Sequence, residues 1–265
     1  MKILAIGDPH GDLGKIKKIP VKNVDLILLT GDLGKADLAR QRFFENSERK
    51  QKGLPKLKDN VQYIKKSHME IHNSTISLLK YLSRDVPIYL IEGNVGIASI
   101  SQVKEDEKKG VKIPYTLKMI NSMPNVYLVK NKLRIINNLR IGFLEYFTDT
   151  SWVKEFKPKD YDKSMKKAKK QTDKAKGILQ RFGKIDILVC HQPPYGILDK
   201  VNFPGAPKHY QGKHAGSKAI LDYIKKYQPR YVFCGHIHEG EGKAKIEKAE
   251  VYNLGVAGHK IINLE

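Results

Sequence analysis

Five short runs of almost unbroken apolar side chains punctuate the chain, and a metal-ligand type of residue follows each one. KILAIG leads into GDPHG, VDLILLT (24–30) into GDLG, VPIYLIEG (86–93) into GNVG, IDILVC (185–190) into His191, and YVFCG (231–235) into GHIHEG. Runs of this length, apolar at consecutive positions, read as strands covered on both faces. A sheet of such strands gathers the residues beyond its strand ends at one edge. Asp8, His10, Asp32, Asn94, His191, His236 and His238 are therefore expected at a common edge, although they come from opposite ends of the sequence.

Between these runs, VYLV (126–129), LRIINN (133–138) and LRIGFLEYF (139–147) are close enough together for antiparallel hairpins, with Asn137 and Asn138 as turn residues. The sheets are thus expected to be mixed. Two long helices are predicted. Val61, Ile64, His68, Ile71, Thr75, Leu78 and Leu82 recur at alternating steps of three and four, as do Tyr161, Met165, Ala168, Thr172, Ala175, Leu179 and Phe182. Each set makes a narrow, mostly apolar stripe on a polar helix, the pattern of an antiparallel pair or a packed surface helix. These helices read as insertions, about 36–84 and 150–183, in a single domain over 1–265, with GLPKLKD (53–59) as a loop.

A chain of 265 residues with 40% hydrophobic side chains can bury a sizeable core. It contains no apolar run long enough to span a membrane and enters its first strand without an apolar leader, so a soluble, cytoplasmic protein is expected. Cys190 and Cys234 both end apolar runs, where free thiols sit as small buried hydrophobes, and a disulfide between them is not expected. The net charge of +21 implies attraction to polyanions, but only eight of the 49 basic residues are Arg. Lys lacks the bidentate fork of Arg, which weakens a nucleic-acid reading. Residues 150–184 alone carry twelve basic and four acidic side chains, and a solvated lysine face explains them better than a phosphate track does.

Asp or Asn beside Gly is ordinary turn chemistry, but the same chemistry at five successive strand ends is not. Seven O and N donors exceed what one tetrahedral zinc site needs and suit two metals that share a carboxylate. Two ions about 3.5–4 Å apart can hold an attacking oxygen and neutralise phosphoryl oxygens during in-line displacement. In order along the chain, Asp8/His10, Asp32, Asn94, His191 and His236/His238 resemble the D-x-H, G-D, G-N-H, His, G-H-x-H signature of the calcineurin-like metallophosphoesterases. HQPPYGILD (191–199), HAGS (214–217) and GHIHEGEG (235–242) look further like the MPPED-type branch, and Asn253-Leu254-Gly255 fits the family's late strand end.

The resemblance implies an α/β sandwich of two mixed β-sheets flanked by helices. It also implies two divalent ions, Mn, Fe or Zn: one held by Asp8, His10, Asp32 and His238, the other by Asp32, Asn94, His191 and His236, with Asp32 bridging. The activity it implies is hydrolysis of a phosphodiester or phosphomonoester, on a nucleotide or another small phosphorylated molecule, by a metal-activated hydroxide. Asn94, Tyr195 and His214 are the expected substrate-binding residues, and membrane partners are not expected.

Val95 departs from the signature, which reads Asn-His where this chain reads Asn-Val. An imidazole that would stabilise phosphoryl charge or protonate the leaving group is missing, and positioned acid catalysis is worth about a hundred- to ten-thousandfold. His214 is the expected substitute, because it matches a motif of that branch and opens a predicted helix whose N-terminus favours phosphate, whereas His209 reads as a loop residue. A nuclease using the basic surface, and a weakly active metal- and nucleotide-binding module, are the alternatives. His68 and His72 in HMEIH lack the H-E-x-x-H order, GDLG is not a P-loop, and no G-x-S-x-G occurs.

Overall fold

The computed structural model describes residues 1–95, 97–204, 206 and 208–264. Gly96, the last residue of GNVG, lies outside them. The strands are β1 (Lys2–Ile6), β2 (Leu26–Leu29), β3 (Ile88–Leu90), β4 (Val126–Leu128), β5 (Lys132–Ile136), β6 (Leu139–Leu144), β7 (Ile187–Cys190), β8 (Tyr231–Cys234), β9 (Gly242–Ile246), β10 (Ala249–Asn253) and β11 (His259–Asn263). They form a five-stranded sheet, β11-β1-β2-β3-β4, and a six-stranded sheet, β5-β6-β7-β8-β10-β9. Strands β1 to β4 are mutually parallel, as are β6, β7, β8 and β10, while β11, β5 and β9 join as antiparallel edges.

Strand periodicity explains why the runs are apolar at every position. Ile3, Ala5, Leu26, Leu28, Phe143, Val189 and Phe233 fill the layer between the two sheets. Their neighbours Leu4, Ile6, Ile27 and Leu29 point to the far face of the first sheet, and Leu188, Cys190, Val232 and Cys234 to the far face of the second. Successive strand residues face opposite sides, so a strand covered on both sides carries no polar position.

The helices are α1 (Leu13–Ile16), α2 (Asp37–Gln51), α3 (Val61–Leu82), α4 (Ile100–Lys108), α5 (Thr116–Ser122), α6 (Thr150–Phe156), α7 (Tyr161–Phe182) and α8 (Lys218–Tyr227). Both long helices have the bounds their stripes predict. Segment 36–84 links the parallel neighbours β2 and β3, and segment 150–183 links β6 and β7. The C-terminal halves of α3 and α7 therefore form part of the core: Ile71, Thr75, Leu78 and Leu82 are buried on one sheet, Thr172, Ala175, Leu179 and Phe182 on the other. Their first turns lie outside it, with Val61 and Tyr161 exposed. Each helix packs separately on a sheet face, which selects the packed-surface-helix reading of the stripes.

The lysines of α7, among them Lys163, Lys166, Lys167, Lys170 and Lys174, are exposed on the opposite side. No helix among the described residues is long and apolar enough to cross a membrane.

One expected hairpin is absent. β4 pairs parallel with β3 at the edge of the first sheet, and the chain then passes to the second sheet, where β5 and β6 make the hairpin. Asn137 and Asn138 turn it with φ of 48° and 65°, the left-handed pair that a tight two-residue turn requires. Cys190 and Cys234 are free and buried on neighbouring strands, and their thiols lie near the carbonyls of Phe233 and Tyr252.

Candidate metal centre

Every expected ligand sits within a few residues of the carboxyl end of a strand. β1 gives Asp8 and His10, β2 gives Asp32, β3 gives Asn94, β7 gives His191, and β8 gives His236 and His238. The loops are stitched to one another through the backbone: His10 N–H donates to the Asp32 carbonyl, Asp32 N–H to Glu92, Gly235 N–H to His191, and Ala257 N–H to Asp8. His10, Asp32 and His236 have positive φ of 44°, 42° and 67°. Left-handed backbone costs a residue with a Cβ about 1–2 kcal/mol, so this edge holds strain that the sheets maintain.

The glycines of the motifs make the close approach possible. A Cβ on Gly93 would strike the Asp32 carboxylate, and one on Gly235 would strike that of Asp8.

Six of the seven side chains are carboxylates or imidazoles, and five of these six fall into two overlapping groups. Asp8, His10 and His238 form one and Asp8, Asp32 and His191 the other, with the ligand atoms of each group within 4.8 Å of one another. Nε2 of His10 faces Nε2 of His238 at 3.2 Å, and Nε2 of His238 lies 3.4 Å from Oδ2 of Asp8. Asn94 Oδ1 lies 2.6 Å from His191 Nε2 and 2.8 Å from His236 Nδ1. Between the two lobes, Asp32 Oδ2 stands 3.8 Å from His10 Nε2 and 3.6 Å from His191 Nε2. Asp32 Oδ1 accepts hydrogen bonds from the backbone N–H groups of Asn94 and Val95 at 2.8 and 2.7 Å.

A second set of contacts orients these groups. Thr30 donates its hydroxyl to Asp8 at 2.8 Å, while its carbonyl lies 3.0 Å from His191 Nδ1. With a proton on Nδ1 donated to that carbonyl, the lone pair of Nε2 and the Asn94 oxygen are two donor atoms that one cation could take up together. Asn253 is buried and donates its amide to the carbonyls of Leu198 and Ile237, which fixes the GHIH loop. Nδ1 of His10 is buried without a partner among the described residues.

Burial opposes charge on Asp8, but His191, His238 and the His236 N–H outweigh it and hold the carboxyl well below the usual range. Burial and the neighbouring His191 push His236 down to about 3. Burial also lowers His10. His191 moves the other way, because Asp32, Asp8 and the Thr30 carbonyl overcome its burial. An ionised carboxylate among mostly neutral imidazoles is the protonation state that metal coordination requires, and this O and N donor set fits a divalent transition metal.

Tyr195 and His214 come together elsewhere, with ring centroids 5.3 Å apart. His214 Nδ1 lies 2.6 Å from the buried carboxylate of Asp199, and Tyr195 donates to Glu155. His214 lines a hollow of about 230 Å³ with Asp199, Lys200 and Glu239. A larger hollow, about 600 Å³, borders His236 and His238 themselves, and its histidine from the 201–214 region is His209, with Arg40 on another wall. Of the two histidines weighed for the missing imidazole, His209 lines the hollow shared with His236 and His238, and His214, paired with Asp199, lines the smaller one. Ser217 rather than His214 caps α8.

Sequence reasoning missed Arg40, Thr30 and Tyr146, whose ring lies 5.1 Å from His236 and 5.8 Å from His191. The position of Tyr146 just past the end of β6 was the available signal for it. The HMEIH histidines meet Asp106 and Thr116 instead of a metal cluster. Val95 turns its side chain onto the core of the first sheet.

Two mixed sheets that bring two carboxylates, four imidazoles and an amide to one edge define a metal-centred phosphoesterase architecture. The chain belongs to the calcineurin-like phosphoesterase family, whose model matches residues 1–240. It is similar to the UPF0046 protein T07D4.2 of Caenorhabditis elegans, with 26% identity over 244 residues, 91% of this chain and 52% of that protein. The chain thus spans about half the length of this curated relative. A solved crystal structure shares the fold with a TM-score of 0.59 at 15% identity, covering 98% of this chain and 94% of the other.

Proposed function

We propose that the chain is a phosphoesterase working with two divalent ions, one in each lobe of the edge, on a small phosphorylated substrate. The observation that carries this is the position of Asp32, with one oxygen fixed by two backbone N–H groups and the other between His10 and His191. Asp8, His10, Asp32 and His238 would hold one ion; Asp32, Asn94, His191 and His236 would hold the other. Mn, Fe and Zn all suit these donors. When bound, the pair supplies an activated hydroxide and neutralises charge on the phosphoryl oxygens.

The chain's own residues supply the remaining functions. Thr30 and the Asn94 and Val95 amides keep both carboxylates aimed without rearrangement. Arg40 borders the hollow beside His236 and His238, and its charge is felt at His10, so it is placed to receive a phosphoryl oxygen. Val95 offers no proton, and we assign the leaving-group side to His209. Tyr195 and His214 are given no part in the chemistry.

The test is hydrolysis of an activated aryl phosphodiester and monoester by chelator-stripped protein, with and without Mn²⁺, beside Asp32→Ala. Metal-dependent turnover that the variant lacks supports the proposal. Two bound metals with no turnover of any ester would instead favour a metal- and nucleotide-binding module.

A further inference from the structure

We propose that the hollow beside His236 and His238 binds an aromatic ring carried by the esterifying group. The protein would then select phosphate esters of ring-bearing alcohols, nucleosides among them, over esters of plain sugars and polyols. This deepens the phosphoesterase reading and rests on it for the position of the phosphate, though not for the ring site itself.

The hollow has a volume of about 600 Å³, within the usual range for small-molecule sites. One wall is rigid. Phe156 is 4% exposed, stacked on Trp152 at 5.0 Å and met edge-on by Tyr210 at 4.8 Å. Other parts of the lining are aromatic and open to water: Phe43 is 69% exposed and Phe203 45%, while Phe44 stacks near Phe203 with centroids 6.4 Å apart.

Phe43 and Phe44 of α2 and Phe203 thus line the same hollow as the buried Phe156. Large apolar side chains left in water at the mouth of a cavity signal an occupant that covers them. A flat ring fits better than an alkyl chain, because the exposed rings of Phe43 and Phe203 offer stacking as well as burial.

Charge places the rest of the ligand. Arg40, Lys50, Lys157 and Lys159 border the same hollow, against Asp160 and Glu239, so its rim favours an anion. The metal-ligand histidines lie on that lining too. A phosphate at the metal edge and a ring among the phenylalanines would therefore belong to one molecule of nucleotide size.

The experiment is calorimetric titration of the Mn²⁺-loaded full chain with adenosine 5′-monophosphate, ribose 5-phosphate and inorganic phosphate, and of metal-free protein with adenosine alone. Wild type is compared with the Phe43→Ala/Phe203→Ala double variant, whose two side chains are exposed. Stacking of one ring should make the nucleotide bind about ten- to a hundredfold more tightly than ribose 5-phosphate in wild type. In the double variant that ratio should fall below about threefold while phosphate affinity stays unchanged.

Adenosine should bind metal-free wild type and not the variant. Equal affinity for nucleotide and sugar phosphate in wild type, or a preference that survives the double substitution, overturns the ring site. Absence of turnover with every ester, alongside adenosine binding that the variant loses, overturns the phosphoesterase reading and leaves the ring site standing.

Discussion

Asp32 separates what the loops need from what the metals need, so two substitutions there should have different consequences. Asn preserves an acceptor at Oδ1 for the Asn94 and Val95 amides, and it tolerates the left-handed φ of 42°. It replaces Oδ2, the atom between His10 and His191, with an NH₂ that cannot coordinate a metal. Ala loses both hydrogen bonds to a charged acceptor, at about 1.5–3 kcal/mol each, and leaves two amides unpartnered. The expected loss is about 3–6 kcal/mol, or of order 10 °C in Tm for a chain of this size.

In chelator, Asp32→Asn should melt within about 3 °C of wild type, and Asp32→Ala well below both. With Mn²⁺ at a hundred times its Kd, wild type should gain about 2.7 kcal/mol, some 5–10 °C, and Asp32→Asn should lose most of that gain together with one or both bound ions. Differential scanning fluorimetry with metal analysis measures all of this. An Asn variant with the full metal-dependent rise and turnover, or an Ala variant as stable as Asn in chelator, would refute the reasoning.

Val95→His should accelerate hydrolysis of esters with poor leaving groups by about ten- to a hundredfold and barely change nitrophenyl esters, which need no protonation to depart. A uniform gain across leaving groups in steady-state kinetics would count against that role. In chelator, thermal stability should fall as pH drops from about 6.5 towards 3, because the native state resists protonation of His236, which is held at about 3, while the unfolded chain takes the proton. His191, shifted upward, contributes stability that is full below 6.5 and lost as pH rises through its folded value, so a Tm profile peaking near 6.5 is expected. Cys190 and Cys234 are buried, and burial pushes both thiols up, so neither should react with a thiol reagent until the chain unfolds, and reductant should leave Tm unchanged. Gly235→Ala should lower metal affinity and Tm together, since its Cβ would enter the space of the Asp8 carboxylate.

The sequence by itself determined the five apolar strands, the two long helices and the gathering of the seven candidate donors at strand ends. Apolar runs covered on both faces have no polar position to mislead, and helical stripes at steps of three and four fix a helix and its bounds. The donors were legible because strand ends converge wherever the strands run parallel.

Tertiary structure decided what no local pattern encodes. β4 lies in one sheet and β5 in the other, although residues 126–147 read as a continuous series of hairpins. Strand partners are chosen by long-range pairing rather than by spacing. His209 and His214 are close in sequence and alike in type, yet the buried Asp199 claims His214 while His209 borders the hollow beside His236 and His238. Arg40, Phe43 and Phe203 carry no motif, and they meet only because α2 and the 201–210 segment fold against the same hollow. Ligand chemistry is local to a strand end and can be read there. A cavity exists only where separate elements pack together.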